Sequence, residues 1–141
     1  DMAGNVGTQS LAVTIRVLMA EELTAAQKLR LVTKELRVGF CGGLILGLMS
    51  FLFVGLYIMA FKHRAADFSF AVSGCIGAAL LTAMFISSAV GTLIPLFFKR
   101  IKVDPAAASG PLITTVNDLV AVVSYYGLSW LLLINVMGIR S

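Results

Sequence analysis

Three stretches of the chain contain no Asp, Glu, Lys, Arg or His: residues 38–61, 68–98 and 119–139. Because a helix rises about 1.5 Å per residue, about 20 residues cross the roughly 30 Å hydrocarbon core of a bilayer. These runs are continuously apolar and lack the alternation of barrel strands. The pattern predicts an all-α, polytopic membrane protein with three full transmembrane helices, at residues 38–61, 68–98 and 111–138.

Two less apolar stretches precede the first predicted span. Residues 8–20 have helical spacing but include Arg16, so they predict either an interfacial helix or the end of a span that begins upstream. Residues 24–36 begin with Thr24, and Gln27 three positions later suits a capping box. We therefore expect a short interfacial helix over 24–36, separate from the span at 38–61.

Small residues recur along the first predicted span. Gly39, Gly43 and Gly47 follow one another at four-residue spacing and share one helix face. In lipid, small residues let helix backbones approach closely. This spacing predicts a tightly packed bundle.

The basic residues are distributed unevenly between the predicted loops. The chain is 59% hydrophobic and only 13% charged, against about 25% charged in an ordinary soluble domain. Eight of its 11 Lys and Arg residues precede the first span or separate the second from the third. Since cytoplasmic loops are enriched in Lys and Arg, the N-terminal side is predicted to be cytoplasmic and the C-terminus outside. This topology accounts for the net charge of +4 without a nucleic acid.

One acid, Asp118, interrupts the third apolar region. Pro111 suits the first turn of a helix, with Ser109 or Gly110 as its cap, which would place Asp118 about 10 Å along that helix. A charged Asp near the bilayer centre costs about 2.5 kcal/mol or more, so its face should contact protein or water. The other residues on this face are Pro111, Thr114, Thr115, Ala121, Val122 and Tyr125.

Three interpretations of Asp118 follow from the residues alone. It is a neutral, hydrogen-bonded group within the bundle, a proton relay in a coupled carrier, or an ionised ligand in a cation pathway. None of the three spans contains a Lys or Arg to act as its counter-ion, which favours a mobile cation. The sequence shows no nucleophile–base pair, phosphate-binding loop or metal-site string, so no enzymatic activity is expected.

Two strings of the chain resemble a known family. The segments GNVGTQSLAVTIR (Gly4–Arg16) and LIPLFFKRIKVDPAAASGPLITTVNDLVAVVSYYGL (Leu93–Leu128) are similar to the transmembrane domain of the MgtE family of magnesium channels. The resemblance implies a homodimer with its pore between the protomers, lined by the second and fifth of five membrane helices. It also implies an upstream cytoplasmic magnesium-sensing domain that is missing from this chain.

The resemblance assigns roles to particular residues. Residues 4–20 would be the end of the pore-lining second helix, and the residues from Pro111 onward would be the fifth. The family's pore aspartate corresponds to Asp118, and the backbone carbonyl that faces the ion corresponds to Thr114. Asn5 would lie at or near the pore lining, as would Thr115, Pro111 and Tyr125 from their shared face. Gly110 stands where certain members carry Asn, so no auxiliary site is expected there.

The resemblance and the physical pattern together predict a magnesium channel pore domain in the cell (inner) membrane. Two copies of Asp118 would meet at the two-fold axis, where a divalent cation neutralises both. Mg²⁺ would pass with water attached and would be both the transported ion and the ligand of Asp118. The alternatives are an exchanger that couples Mg²⁺ to Na⁺ or H⁺, and a purely structural membrane module.

Overall fold

The computed structural model describes residues 2–20, 22–63 and 65–136, and in these residues the chain forms helices and no strand. The helices are α1 (Met2–Ala20), α2 (Ala25–Phe61), α3 (Ala66–Arg100) and α4 (Pro105–Ser129). At its end α4 passes into a π-helical segment, Trp130–Val136. The predicted all-α class is confirmed.

Helix α3 lies at the centre of the bundle, with α1, α2 and α4 packed around it. Helix α2 packs almost entirely on α3 and barely contacts α1. Gly39 of α2 lies against Ser88, whereas Gly55 lies against Phe70, so α2 and α3 are antiparallel. This arrangement leaves α1 and α4 on the other side of α3.

Glycines form the contact between α2 and α3, which we call the glycine seam. Gly39, Gly43, Gly47 and Gly55 are the buried glycines of α2. A Cβ atom on Gly47 would lie 2.8 Å from the carbonyl oxygen of Gly77, so the two backbones touch. The close packing predicted from small-residue spacing is present.

Helix α2 is longer than the sequence analysis predicted, because residues 24–36 and 38–61 join in one helix, Ala25–Phe61. It begins at the expected capping box: the Thr24 backbone N–H donates to Gln27 Oε1 at 2.9 Å, and the Gln27 N–H to Thr24 Oγ1 at 3.4 Å. The predicted break at residue 37 is absent because no proline or turn sequence interrupts the helix there. The placement of residues 24–36 at the membrane surface stays a prediction.

Helix α4 begins six residues earlier than predicted. Asp104 is its N-cap, with Oδ1 accepting a hydrogen bond from the Ala106 N–H at 3.0 Å, and Pro105 follows as the first helical residue. An Asp–Pro pair is a strong helix start, so Pro111 becomes an internal residue and neither Ser109 nor Gly110 is the cap. Asp118 therefore lies about 20 Å from the start of the helix, not about 10 Å.

A Schellman turn ends α3 and reverses the chain into α4. The Val103 N–H donates to the Phe98 carbonyl at 2.9 Å, and the Lys102 N–H to the Lys99 carbonyl at 3.2 Å. Lys102 has a φ of 60°, the left-handed conformation that glycine usually supplies at this position. Beside this turn, Lys99 Nζ donates to the Leu18 carbonyl at 2.7 Å and so holds the end of α1 against α3.

Among the described residues, α2 and α3 are long and apolar enough to cross a membrane. Helix α4, which contains most of the third predicted span, is not one of these two, so the number of spans stays a prediction. The predicted end of that span at residue 138 lies outside the described residues.

Candidate cation pathway

Asp118 faces out of the protomer from α4. Pro111, Thr114, Thr115 and Tyr125, which the sequence placed on its face, are also exposed. The opposite face of α4 is buried, and its Ile113 and Asn117 are 0% exposed. The predicted site residues of α4 therefore form one surface stripe.

The two threonines of this stripe bind to their own helix. Thr114 Oγ1 donates to the Gly110 carbonyl at 3.2 Å, and Thr115 Oγ1 donates to the Pro111 carbonyl at 3.0 Å. Each hydroxyl thereby uses its only proton and keeps its oxygen lone pairs for a partner outside the helix. With the Asp118 carboxylate, this part of α4 presents hydrogen-bond acceptors.

Helix α1 presents a similar surface beside α4. Asn5, Thr8 and Gln9 are exposed, and Thr8 Oγ1 donates to the carbonyls of Gly4 and Asn5, each at 3.0 Å. Thr8 and Gln9 belong to the GNVGTQ string but were not predicted as site residues. The structure shows both side chains exposed on the same helix as Asn5, which adds them to the polar surface of α1.

The contacts between α1 and α4 set the relative height of Asn5 and Asp118. Gly7 lies against Asn117, and Ala3 borders the same groove as Ala121 and Tyr125. The two helices are therefore antiparallel, and Asn5 lies at about the height of Asp118. We call the exposed side chains of Asn5, Thr8, Thr114, Thr115 and Asp118 the acceptor surface.

A three-helix junction lies directly behind Asp118, where α1, α3 and α4 meet. A Cβ atom on Gly91 would collide with the Gly7 carbonyl oxygen, and one on Gly7 would lie 2.6 Å from Ser87 Oγ and collide with the Asn117 amide. Ser87 Oγ donates to the Ala3 carbonyl and links α3 to α1. The junction thus closes only because Gly7 and Gly91 have no side chains.

Asn117 is a polar residue of this junction that was not predicted from the sequence as a site residue. Both its Oδ1 and its Nδ2 are buried without a hydrogen-bond partner among the described residues. A buried amide without a partner costs about 1–3 kcal/mol, which is unusual in a close-packed site. The available signal was an Asn immediately before the acid in an apolar run, one position around the helix from Asp118.

The chemistry of the acceptor surface suits a cation that keeps its water. Within the part of the chain that the structure describes, no three His, Cys, Asp or Glu side chains come together to hold a metal ion. One protomer offers a single carboxylate surrounded by neutral oxygens. A single carboxylate with neutral oxygens offers too few ligands to replace the water of a divalent cation, but it offers acceptors for the protons of that water.

Comparison with known proteins gives a family match over residues 1–128, to the model for MgtE, a divalent cation transporter. The magnesium transporter MgtE of Bacillus subtilis is 35% identical over 132 residues, which cover 91% of this chain and 26% of that protein. The magnesium transporter MgtE of Thermus thermophilus is 34% identical over 130 residues, covering 92% of this chain and 27% of the relative. The chain thus spans about a quarter of the length of these relatives.

Proposed function

Since the chain belongs to the MgtE family of divalent cation transporters, we propose that α1 and α4 line a pathway for hydrated Mg²⁺ between two copies of it. One observation carries the proposal: Asp118 is exposed on an otherwise largely apolar helix. In a membrane that position would face lipid unless a second protomer or water covered it. In a homodimer with the acceptor surfaces facing each other, the second protomer and the water between the two surfaces cover Asp118.

The acceptor surface matches the hydrogen bonding of a hydrated magnesium ion. Water bound to Mg²⁺ directs its protons outward, and Mg²⁺ gives up that water reluctantly. The carboxylate of Asp118 and the oxygens of Thr114 and Thr115 accept those protons. The Thr114 backbone carbonyl and the Asn5 amide oxygen are further acceptors at this height. Recognition then depends on the shape and charge of the hydrated ion.

Two-fold symmetry brings two carboxylates to one axis. Two Asp118 side chains facing each other repel, and a divalent cation between them neutralises both charges. A monovalent ion would leave one negative charge uncompensated. The pair therefore favours a divalent cation, and its two charges replace the counter-ion that the helices lack.

The distribution of basic residues orients this pathway. Lys99, Arg100 and Lys102 lie where α3 turns into α4, and Arg16 lies toward the same end on α1. By the positive-inside rule this end is cytoplasmic, in a multi-pass protein of the cell membrane. A magnesium-sensing domain upstream of residue 1, as the family resemblance implies, would lie on that side.

Uptake of Mg²⁺ into proteoliposomes tests the proposal. In the intact protein, Asp118→Asn should lower the initial uptake rate at least about tenfold. Each copy of the chain loses a hydrogen bond to a charged group, which contributes about 1.5–3 kcal/mol. Asp67→Asn is the matched control, since Asp67 is an exposed acid in the first turn of α3. Equal uptake by the Asp118 variant and the wild type would refute the pathway assignment.

Collapsing the sodium and proton gradients distinguishes a channel from an exchanger. A channel needs only the Mg²⁺ gradient, so uptake should continue when sodium and proton gradients are collapsed with ionophores. Uptake that stops without one of these gradients would favour the exchanger and would leave Asp118 as its ion-binding residue. Uptake that persists with both gradients collapsed, and depends on Asp118, supports the channel.

A further inference from the structure

The first turns of α2 carry a row of basic side chains on one exposed face. Arg30, Lys34 and Arg37 recur at four- and three-residue spacing, and all three are exposed. They line an open groove beside the helix, together with Ala26, Leu29, Thr33 and Val38 of the same helix. We call this surface the basic groove.

Among the residues that the structure describes, the basic groove has no acid in its lining. Glu35 is the one acid in the α2 sequence; it is 4% exposed and lies on the buried face with Leu31 and Gly39. Elsewhere at the same end of the bundle, Glu22 shares a pocket with Lys28, Lys99 and Arg100. The basic groove is therefore an uncompensated positive surface of α2 that is open to an anionic partner.

The same face of α2 becomes apolar directly below the basic row. Ile45, Leu48 and Leu52 continue it at three- and four-residue spacing, and they are 60%, 56% and 54% exposed. From Arg37 to Leu48 the helix rises about 16 Å. One continuous face thus offers positive charge at one level and bare hydrocarbon at the next.

The length of α2 places the change from charge to hydrocarbon at the membrane surface. Its 37 residues extend about 55 Å, whereas the hydrocarbon core is about 30 Å thick. The predicted span begins at residue 38, one position after the last basic residue of the groove. Lys34 and Arg37 then lie at headgroup level, Arg30 lies about 12 Å from the start of the span, and the apolar row lies beside the acyl chains.

We propose that the basic groove binds the anionic headgroup of a phospholipid whose acyl chain lies along Ile45 and Leu48. Basic clusters next to the cytoplasmic end of a membrane helix attract anionic lipids, by about fivefold in affinity per Lys or Arg. A soluble anion or an acidic protein segment would match the basic row but not the apolar row. Because no residue of the basic groove belongs to the acceptor surface, the lipid site and the cation pathway can fail separately.

Native mass spectrometry of the delipidated intact protein tests the proposal, with phosphatidylglycerol and phosphatidylcholine of identical acyl chains as probes. The wild type should bind phosphatidylglycerol more tightly. The triple variant Arg30→Gln, Lys34→Gln, Arg37→Gln should lose at least about tenfold of that affinity, and Lys34→Gln alone about fivefold. Binding of phosphatidylcholine should be unchanged in both.

A second triple variant controls for total charge. Lys28→Gln, Arg100→Gln, Lys102→Gln removes three exposed positive charges from the same end of the molecule but none from the basic groove. It should keep the preference for phosphatidylglycerol. Equal loss in both triple variants, or equal binding of the two lipids by the wild type, would overturn the proposal. Lys34→Gln, a single exposed substitution, keeps the test decisive if the first triple variant does not fold.

Discussion

The glycine seam and the three-helix junction both bring backbones into contact, yet they differ in the hydrogen bonding of their buried polar groups. In the seam, Gly47 meets Gly77, and the buried hydroxyls of Ser73 and Ser88 beside the other glycines donate to carbonyls of their own helix. In the junction, Gly7 meets Gly91, and Ser87 and Asn117 are fully buried beside them. The seam only has to hold α2 against α3. The junction has to hold α1 and α4 so that the exposed Asn5 and Asp118 lie at about the same height.

The hydrogen bonds of the buried polar groups show how the junction holds α1 and α4 in position. Thr92, next to Gly91, donates to the Ser88 carbonyl of its own helix at 2.8 Å, and Ser87 donates to the Ala3 carbonyl of α1. Asn117 alone in this set has no partner among the described residues. Buried polar groups without a hydrogen-bond partner are costly and occur mostly at functional sites. The Asn117 amide lies one residue from Asp118, the acid of the proposed pathway.

Alanine at the two glycine crossings should have the largest effect and should distinguish the regions. A Cβ on either Gly91 or Gly47 would collide with a backbone carbonyl, so each variant should lose about 1–3 kcal/mol of unfolding free energy or more. Gly91→Ala should also lower Mg²⁺ uptake per folded protein, because α1 must move relative to α4. Gly47→Ala should leave that uptake unchanged. Thermal melting in detergent and proteoliposome uptake are the measurements.

Gly74→Ala is the matched control on α3. Its Cβ would lie 3.6 Å from the Phe51 ring, an ordinary contact, so its stability should be close to that of the wild type. If Gly91→Ala melts at the temperature of Gly74→Ala, the backbones of α1 and α3 are not in contact at the junction.

Asn117→Leu tests the polarity of the junction. Leu has a shape similar to Asn and removes an amide whose burial without a partner costs about 1–3 kcal/mol. We expect a stability equal to the wild type or up to about 2 kcal/mol higher, measured by thermal melting. Gly7→Ala, which removes the space that the Asn117 amide occupies, should be destabilising. A loss of more than about 1 kcal/mol in Asn117→Leu would contradict the expectation that replacing this amide with an apolar side chain does not lower stability.

Lys99→Met should have the smallest effect, because it removes one contact at the edge of the junction. Lys99 Nζ donates to the Leu18 carbonyl in the last turn of α1, where a positive charge contributes about 0.3–1 kcal/mol. The unfolding free energy should fall by about that amount. Lys102→Met, at an exposed lysine three residues away, should change it less. Equal effects of the two would mean that Lys99 does not hold the end of α1.

Local patterns in the sequence predicted much of this fold. Apolar runs predicted helices, Thr24 and Gln27 predicted the start of α2, and the spacing from Gly39 to Gly47 predicted the glycine seam. Each of these signals lies within a few residues of the feature it predicts. The misplaced start of α4 was also a local decision, between Asp104–Pro105 and Gly110–Pro111, and the stronger cap was the earlier one.

Features that depend on distant residues were not predictable in the same way. The collision of Gly91 with Gly7 and the burial of Asn117 require the relative positions of three helices, which no periodicity contains. The exposed face of Asp118 was predictable, because 3.6-residue periodicity fixes which side chains share a helix surface. What covers that face depends on a second copy of the chain, and it stays a proposal.

Disulfide trapping in membranes tests most directly whether two acceptor surfaces face each other. In a chain with Cys41→Ser and Cys75→Ala, cysteine is introduced at Val122, on the Asp118 stripe, or at Ile45, on the exposed apolar face of α2. A disulfide requires Cα atoms within about 7 Å. We predict that mild oxidation yields covalent dimers with cysteine at 122 and monomers with cysteine at 45. Dimers at 45 and none at 122 would contradict a pathway between two α4 helices.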